Sequence, residues 1–176
     1  MKRKTVYLLL GSALLALLFI NLKPHEGPLK LNQSYYLSNL EAFYQQTQNL
    51  HKTAVAYRNQ NQSAQKLKEQ LISTRLAFKK IEFLLDYLQP EDVKDYLNGA
   101  PLPKTERNAP RLVILEPKGL QSLEELIFSE DLSPQNTKLT ELSKNLEKNS
   151  FMIWQFQRKA QLQDRHVLEA ARLGIV

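Results

Sequence analysis

Few side chains in this chain have the type and spacing that chemistry needs, and they fall into three groups. Arg75, Lys79 and Glu82 stand four and then three residues apart. On a helix that spacing lines them along one face. There they would form either a polar site between helices or an ion-pair network at the edge of a core. An isolated buried charge is costly, so the three are expected to be paired or solvated. Gly119, Gln121 and Glu124 are the second group. Gly119 lets the backbone turn sharply into a helix, and Gln121 and Glu124, three residues apart, converge on one point of its face. A carboxylate beside an amide suits a hydrated metal, a cationic group or a helix end. It is a poor hydrolytic pair, because an amide neither titrates nor ligates transition metals well. If Arg75, Glu82 and Glu124 formed one buried network, Glu124→Gln would cost about 3 kcal/mol or more, the scale for unpairing a buried charge.

His166 and Glu169 are the third group, weak metal-ligand candidates that a helix would set on one face; a solvated face is the plainer reading. The other histidines are His25 and His51, and His51, between polar neighbours, is expected to be exposed. No Ser-His-Asp set, phosphate loop or dinucleotide fingerprint is visible, and no residue is expected to be catalytic. Phe151, Met152, Trp154 and Phe156 read as core packing rather than a haem or apolar-ligand pocket. Tyr35, Tyr36 and Tyr44 suit a helix-packing surface.

Composition narrows the partners. The 176 residues contain no cysteine, which excludes disulfides, thiolate metal sites, iron–sulfur clusters, a lipoprotein cysteine and Cys-x-x-Cys-His haem attachment. The net charge of +6 is concentrated at the amino terminus. Lys2, Arg3, Lys4, Lys23 and Lys30 against Glu26 leave the first 30 residues at +4 and the other 146 at only +2. Nucleic acid is therefore not an expected partner.

The elements that must position these groups are helical. Lys2-Arg3-Lys4 followed by the apolar run from Thr5 to Leu22 reads as a signal peptide or signal anchor over 1–26. The cationic flank would stay cytoplasmic, which makes the chain exported, periplasmic or inner-membrane anchored facing the periplasm. The absence of a small-x-small cleavage site favours an uncleaved anchor, and His25, Gly27 and Pro28 form a hinge. Apolar residues at steps of three and four predict helices from Asn32 to about Arg58 and from Ala64 to Leu88, paired as an antiparallel hairpin, with Ser63 as N-cap. A short helical turn opens at Pro90 and closes at Asn98-Gly99. Ala100 to Lys118 is a proline-rich crossover in which Arg111–Leu115 is extended without making a sheet. A helix resumes from Leu120 to Phe128. Ser133-Pro134 starts a long helix or a broken pair, with the break at Asn149-Ser150. The fold class is thus all-α, a helical bundle of about four main helices with a proline-rich crossover loop, over 30–176. The apolar end, Leu173-Gly174-Ile175-Val176, is expected either to dock on the helices or to continue into a longer chain.

Two resemblances follow from these residues. Gly119-x-Gln121-x-x-Glu124, followed by Glu-Leu-Ile-Phe, resembles the Gly-x-His-x-x-Glu motif of the imelysin-like family, exported helical-bundle proteins associated with bacterial iron uptake. The family's histidine position is Gln121 here, and Glu124 aligns with its acid; His166-x-x-Glu169 lacks the preceding glycine, Asp164 standing in its place. A wider stretch is similar to the amino-terminal helical region of bacterial envelope di-haem cytochrome c peroxidases. It runs through Arg75-x-x-Phe78-Lys79-Lys80-Ile81-Glu82, then Leu97-Asn98-Gly99-Ala100-Pro101, then Glu116-Pro117-Lys118-Gly119-Leu120-Gln121. That resemblance implies a non-catalytic accessory module that docks a haem-containing domain or a redox protein. It implies haem c only if the reading frame continues past Val176, since this chain has no attachment motif. The imelysin-like alternative is an iron- or haem-uptake binding protein.

Overall fold

The computed structural model describes residues 28–105 and 110–174. The expected signal or anchor segment 1–26 and the terminal Ile175-Val176 lie outside the described residues. The first helix, α1 (Pro28–Arg58), buries Tyr36, Leu40, Phe43, Thr47, Leu50 and Ala54, a strict alternation of steps of four and three. It begins four residues before the start expected at Asn32. Its end is closed by Gln60, which takes a left-handed φ of 61°. The Asn61 amide reaches the Ala56 carbonyl and the Gln60 amide reaches that of Tyr57, so the last carbonyls of α1 are satisfied as in a Schellman turn. Ser63 then caps α2 (Ala64–Leu88), its hydroxyl accepting from the Lys66 amide at 3.2 Å. The two helices form the expected hairpin. Phe43 packs on Phe78 with ring centres 5.4 Å apart, and the Gln70 amide donates to Gln46 Oε1 at 2.8 Å.

Proline at the first position of α3 (Pro90–Asp92) leads into one π-helical turn, Val93–Leu97, which buries Val93 and Leu97. In the crossover, β1 (Lys104–Thr105) pairs antiparallel with β2 (Ile114–Leu115), Lys104 opposite Leu115 and Thr105 opposite Ile114. The extended segment expected at Arg111–Leu115 thus does acquire a partner, in a ladder only two residues long. The short helix α4 (Leu120–Ile127) follows, then a 3₁₀ turn at Ser133–Gln135 and the long α5 (Asn136–Gln157). The final helix is α6 (Asp164–Leu173). Helix α1 packs against both α2 and α5, α4 bridges α2 and α5, and α6 packs on α2. The buried apolar residues of all of these join in one cluster. The chain is mostly helical and belongs to the all-α class.

Two local expectations are corrected. Helix α5 runs unbroken through Asn149-Ser150. Ser150 is a core residue rather than a cap: its hydroxyl donates to the Glu147 carbonyl at 2.8 Å and lies 2.7 Å from Thr47 Oγ1 of α1. The aromatic cluster is also not core packing as a whole. The buried line of α5 passes through Leu139, Leu142, Leu146, Ser150, Ile153 and Gln157, which turns Phe151, Met152 and Phe156 outward to 40, 58 and 63% exposure. Trp154, half-buried, stacks on Tyr44 of α1 at 5.5 Å and carries the Arg158 guanidinium 4.8 Å from its ring centre. Of the tyrosines, Tyr36 is buried, Tyr44 packs as expected and Tyr35 is exposed.

Candidate functional site

The candidate site forms where α2, the π-turn and the start of α4 meet. Gly119 has φ 93° and ψ −167°, a conformation essentially restricted to glycine. It brings its own backbone against the Leu97 carbonyl at the end of the π-turn. Gly99 fits as tightly between the carbonyls of Lys94 and Lys118. With the two loops interlocked, Gln121 on the first turn of α4 donates from Nε2 to the Asn98 carbonyl at 3.0 Å. Asn98 in turn donates from Nδ2 to Glu82 Oε1 at 3.4 Å, and Lys79 Nζ lies 2.5 Å from Glu82 Oε2. One turn further along α4, Glu124 pairs with Arg75 Nη1 at 2.8 Å.

Arg75, Lys79, Glu82, Gly119, Gln121 and Glu124 are therefore assembled in one place. They form two units rather than one buried network: the ion pair Arg75–Glu124, and the chain Lys79–Glu82–Asn98–Gln121. Both open to solvent, with Arg75 28% and Glu124 45% exposed. The polar groups face one another, and each carboxylate already has a cation or an amide on it. Asp86, one turn beyond Glu82, has its carboxyl pushed above the usual range by burial and by the charge of Glu82, with Lys79 opposing. Asn98 is the member that residue spacing does not reveal. It acts through its main-chain carbonyl as well as its side chain, and only the turn signal of Asn98-Gly99 marks the place.

His166 and Glu169 lie on α6 away from this cluster. His166 Nδ1 accepts from the Gln163 amide at 3.2 Å as part of a capping box. In the neutral ring that leaves the proton on Nε2, which then offers no lone pair to a metal. Glu169 accepts from the Tyr87 hydroxyl at the end of α2. That bond, burial and the Glu169 charge hold the phenol above its ordinary value, with Arg165 opposing. Both residues thus serve in fixing α6. His51, expected to be exposed, is half-buried where α1 meets α5, with Nδ1 3.0 Å from Ser143 Oγ, because Ser143 is buried beside the core line of α5.

Among the described residues, no group of three or more His, Asp or Glu side chains is arranged to hold a metal ion. Among the same residues, no helix is long and apolar enough to cross a membrane. The fold and the site define a mostly helical protein whose polar cluster ties two loops to a helix. No protein-family model, curated protein or solved structure matches the chain.

Proposed function

We propose that this chain is a non-catalytic cell-envelope module that works by docking another protein. On this reading its helices form a bundle of about four main members, held at the membrane or exported by the segment 1–26. It resembles the accessory amino-terminal domain of di-haem cytochrome c peroxidases, and its partner is a haem-containing domain or a redox protein. The observation that carries the reading is the engagement of Gln121. Its amide is bonded to the Asn98 carbonyl and so braces a loop instead of facing a ligand. The neighbouring carboxylates of Glu82 and Glu124 are likewise paired with Lys79 and Arg75. The docking surface is the rim of this polar row together with α6, which exposes Leu168 and Leu173.

Titration of the detergent-solubilised full chain with haem, with ferric ion and with a di-haem peroxidase of the source organism tests this. Binding of the peroxidase, weakened by Leu168→Glu, is the expected result. Stoichiometric binding of haem or iron that is lost on Glu124→Ala would instead favour an uptake protein of imelysin type.

A further inference from the structure

The outward side of α2 carries a second pattern, which shares Lys79 with the polar row. Gln65, Glu69, Ile72, Leu76, Lys79, Phe83 and Asp86 recur at alternating steps of four and three, the period of a coiled-coil seam. This line lies opposite the buried one through Leu67, Leu71, Thr74, Phe78 and Ile81. Its apolar members are open to solvent, Ile72 at 50%, Leu76 at 62% and Phe83 at 44%. Phe128 extends the apolar surface alongside, 49% exposed beneath the Lys68 ammonium.

The charges on the seam decide what can cover it. Glu69 lies one turn before the Ile72–Leu76 pair, and Lys79 with Lys80 one turn after it. A second copy laid parallel and in register would set Glu69 on Glu69 and Lys79 on Lys79. Laid antiparallel about a two-fold axis at the level of Thr74, it sets Ile72 on Leu76 and Glu69 on Lys79, twice over, as an isologous contact requires. Sliding the copies by one heptad brings Glu69 onto Asp86 and Leu76 onto Lys79, a like-charge contact and a mismatch. The favoured register also lays Phe83 on Gln65, and the slid one lays it on Ile72, but of these arrangements only the favoured one sets acid on base. Glu69 now contacts Lys66 at 3.6 Å and Gln65 at 3.3 Å, and Lys79 contacts Glu82 at 2.5 Å, all within α2, and Glu69 and Lys79 each stay more than half exposed.

We propose that the outward face of α2 is a two-fold self-association surface on which a second copy of this chain packs antiparallel, Ile72 against its Leu76 and Glu69 against its Lys79 and Lys80. So few side chains make a small interface, and the association is concentration-dependent. This inference stands whether or not the docking reading above is correct.

Sedimentation velocity of the detergent-solubilised full chain, at rising concentration, tests it. A monomer–dimer equilibrium is expected, weakened about tenfold or more by Glu69→Lys and equally by the double change Lys79→Glu with Lys80→Glu. Combining all three restores it. Leu76→Glu abolishes it, with circular dichroism checking that each variant stays helical. Because the chain has no cysteine, co-expressed Ile72→Cys and Leu76→Cys chains of different tag length report the register directly. On oxidation the mixed pair should exceed either like pair. A chain monomeric at every concentration, a dimer indifferent to Glu69→Lys, or a preference for like pairs would each overturn the proposal.

Discussion

Gly119 and Leu97 touch through their backbones: a Cβ placed on Gly119 would lie 2.6 Å from the Leu97 carbonyl oxygen. The obstacle is main chain, which cannot rotate away as a side chain would. Gly119→Ala therefore meets both a steric clash and a glycine-only φ, ψ pair. It should lower the unfolding free energy by about 3 kcal/mol, read from the urea midpoint at constant m.

The Arg75–Glu124 pair calls for a much smaller effect than a buried network would. With both side chains partly in solvent, Glu124→Gln should destabilise by about 1 kcal/mol or less, well under the 3 kcal/mol scale of a buried charge left alone. Thermal melts at low and high salt check this, since screening should shrink the difference further.

Thr47 and Ser150 join α1 to α5 through buried hydroxyls, and each also donates to a carbonyl of its own helix, Tyr44 and Glu147. Two protons cannot serve three hydrogen bonds at once, so the hydroxyls share them. Thr47→Val and Ser150→Ala should each cost about 1 kcal/mol. The double variant should cost at least about 0.5 kcal/mol less than their sum. A strictly additive cycle would mean that the two hydroxyls do not interact.

Acid should act on Asp86 in an unusual direction. Its folded carboxyl is raised by burial and by Glu82, so its stabilising share is fully present below the ordinary aspartate range and is lost as the pH rises through the raised value. Asp86→Asn removes that loss. The variant should be more stable than the parent at neutral pH, by no more than about 0.5 kcal/mol at this solvent-exposed position. The two should converge at acidic pH, as denaturant titrations at both pH values would register.

Helix α6 depends on Tyr87 for its hold on the rest of the molecule, since Glu169 accepts from that hydroxyl and Ala170 is its one buried residue. Tyr87→Phe keeps the ring and removes the donor. Amides of α6 should then exchange with solvent about threefold faster or more, while those of α1 stay unchanged.

The helices were readable where burial and period coincide. Leu40, Phe43, Leu50 and Ala54, and Leu67, Leu71, Phe78 and Ile81, occupy one face each, and Ser63 announced its own cap. Reading failed where a polar residue occupies a core position. Asn149-Ser150 has the composition of a break, yet Ser150 is buried because Thr47 meets it from another helix, information that no local window contains. The aromatic group failed for the opposite reason, large apolar side chains standing on the outer face of α5. In the site, the side chains on α2 and α4 were legible from their spacing. The carbonyls of Leu97 and Asn98 were not, since every residue type presents the same main-chain oxygen.

The interlock of Gly99 and Gly119 has a consequence for the crossover between them. Because its two ends already rest against each other's backbones, the chain from Ala100 to Lys118 begins and ends at nearly the same point. Closing such a circuit costs entropy that grows only with the logarithm of its contour, about 0.6 kcal/mol for each doubling of length. The circuit can therefore gain residues, a tag or a fluorophore at little thermodynamic expense, and it is the natural place to vary this chain without disturbing its helices.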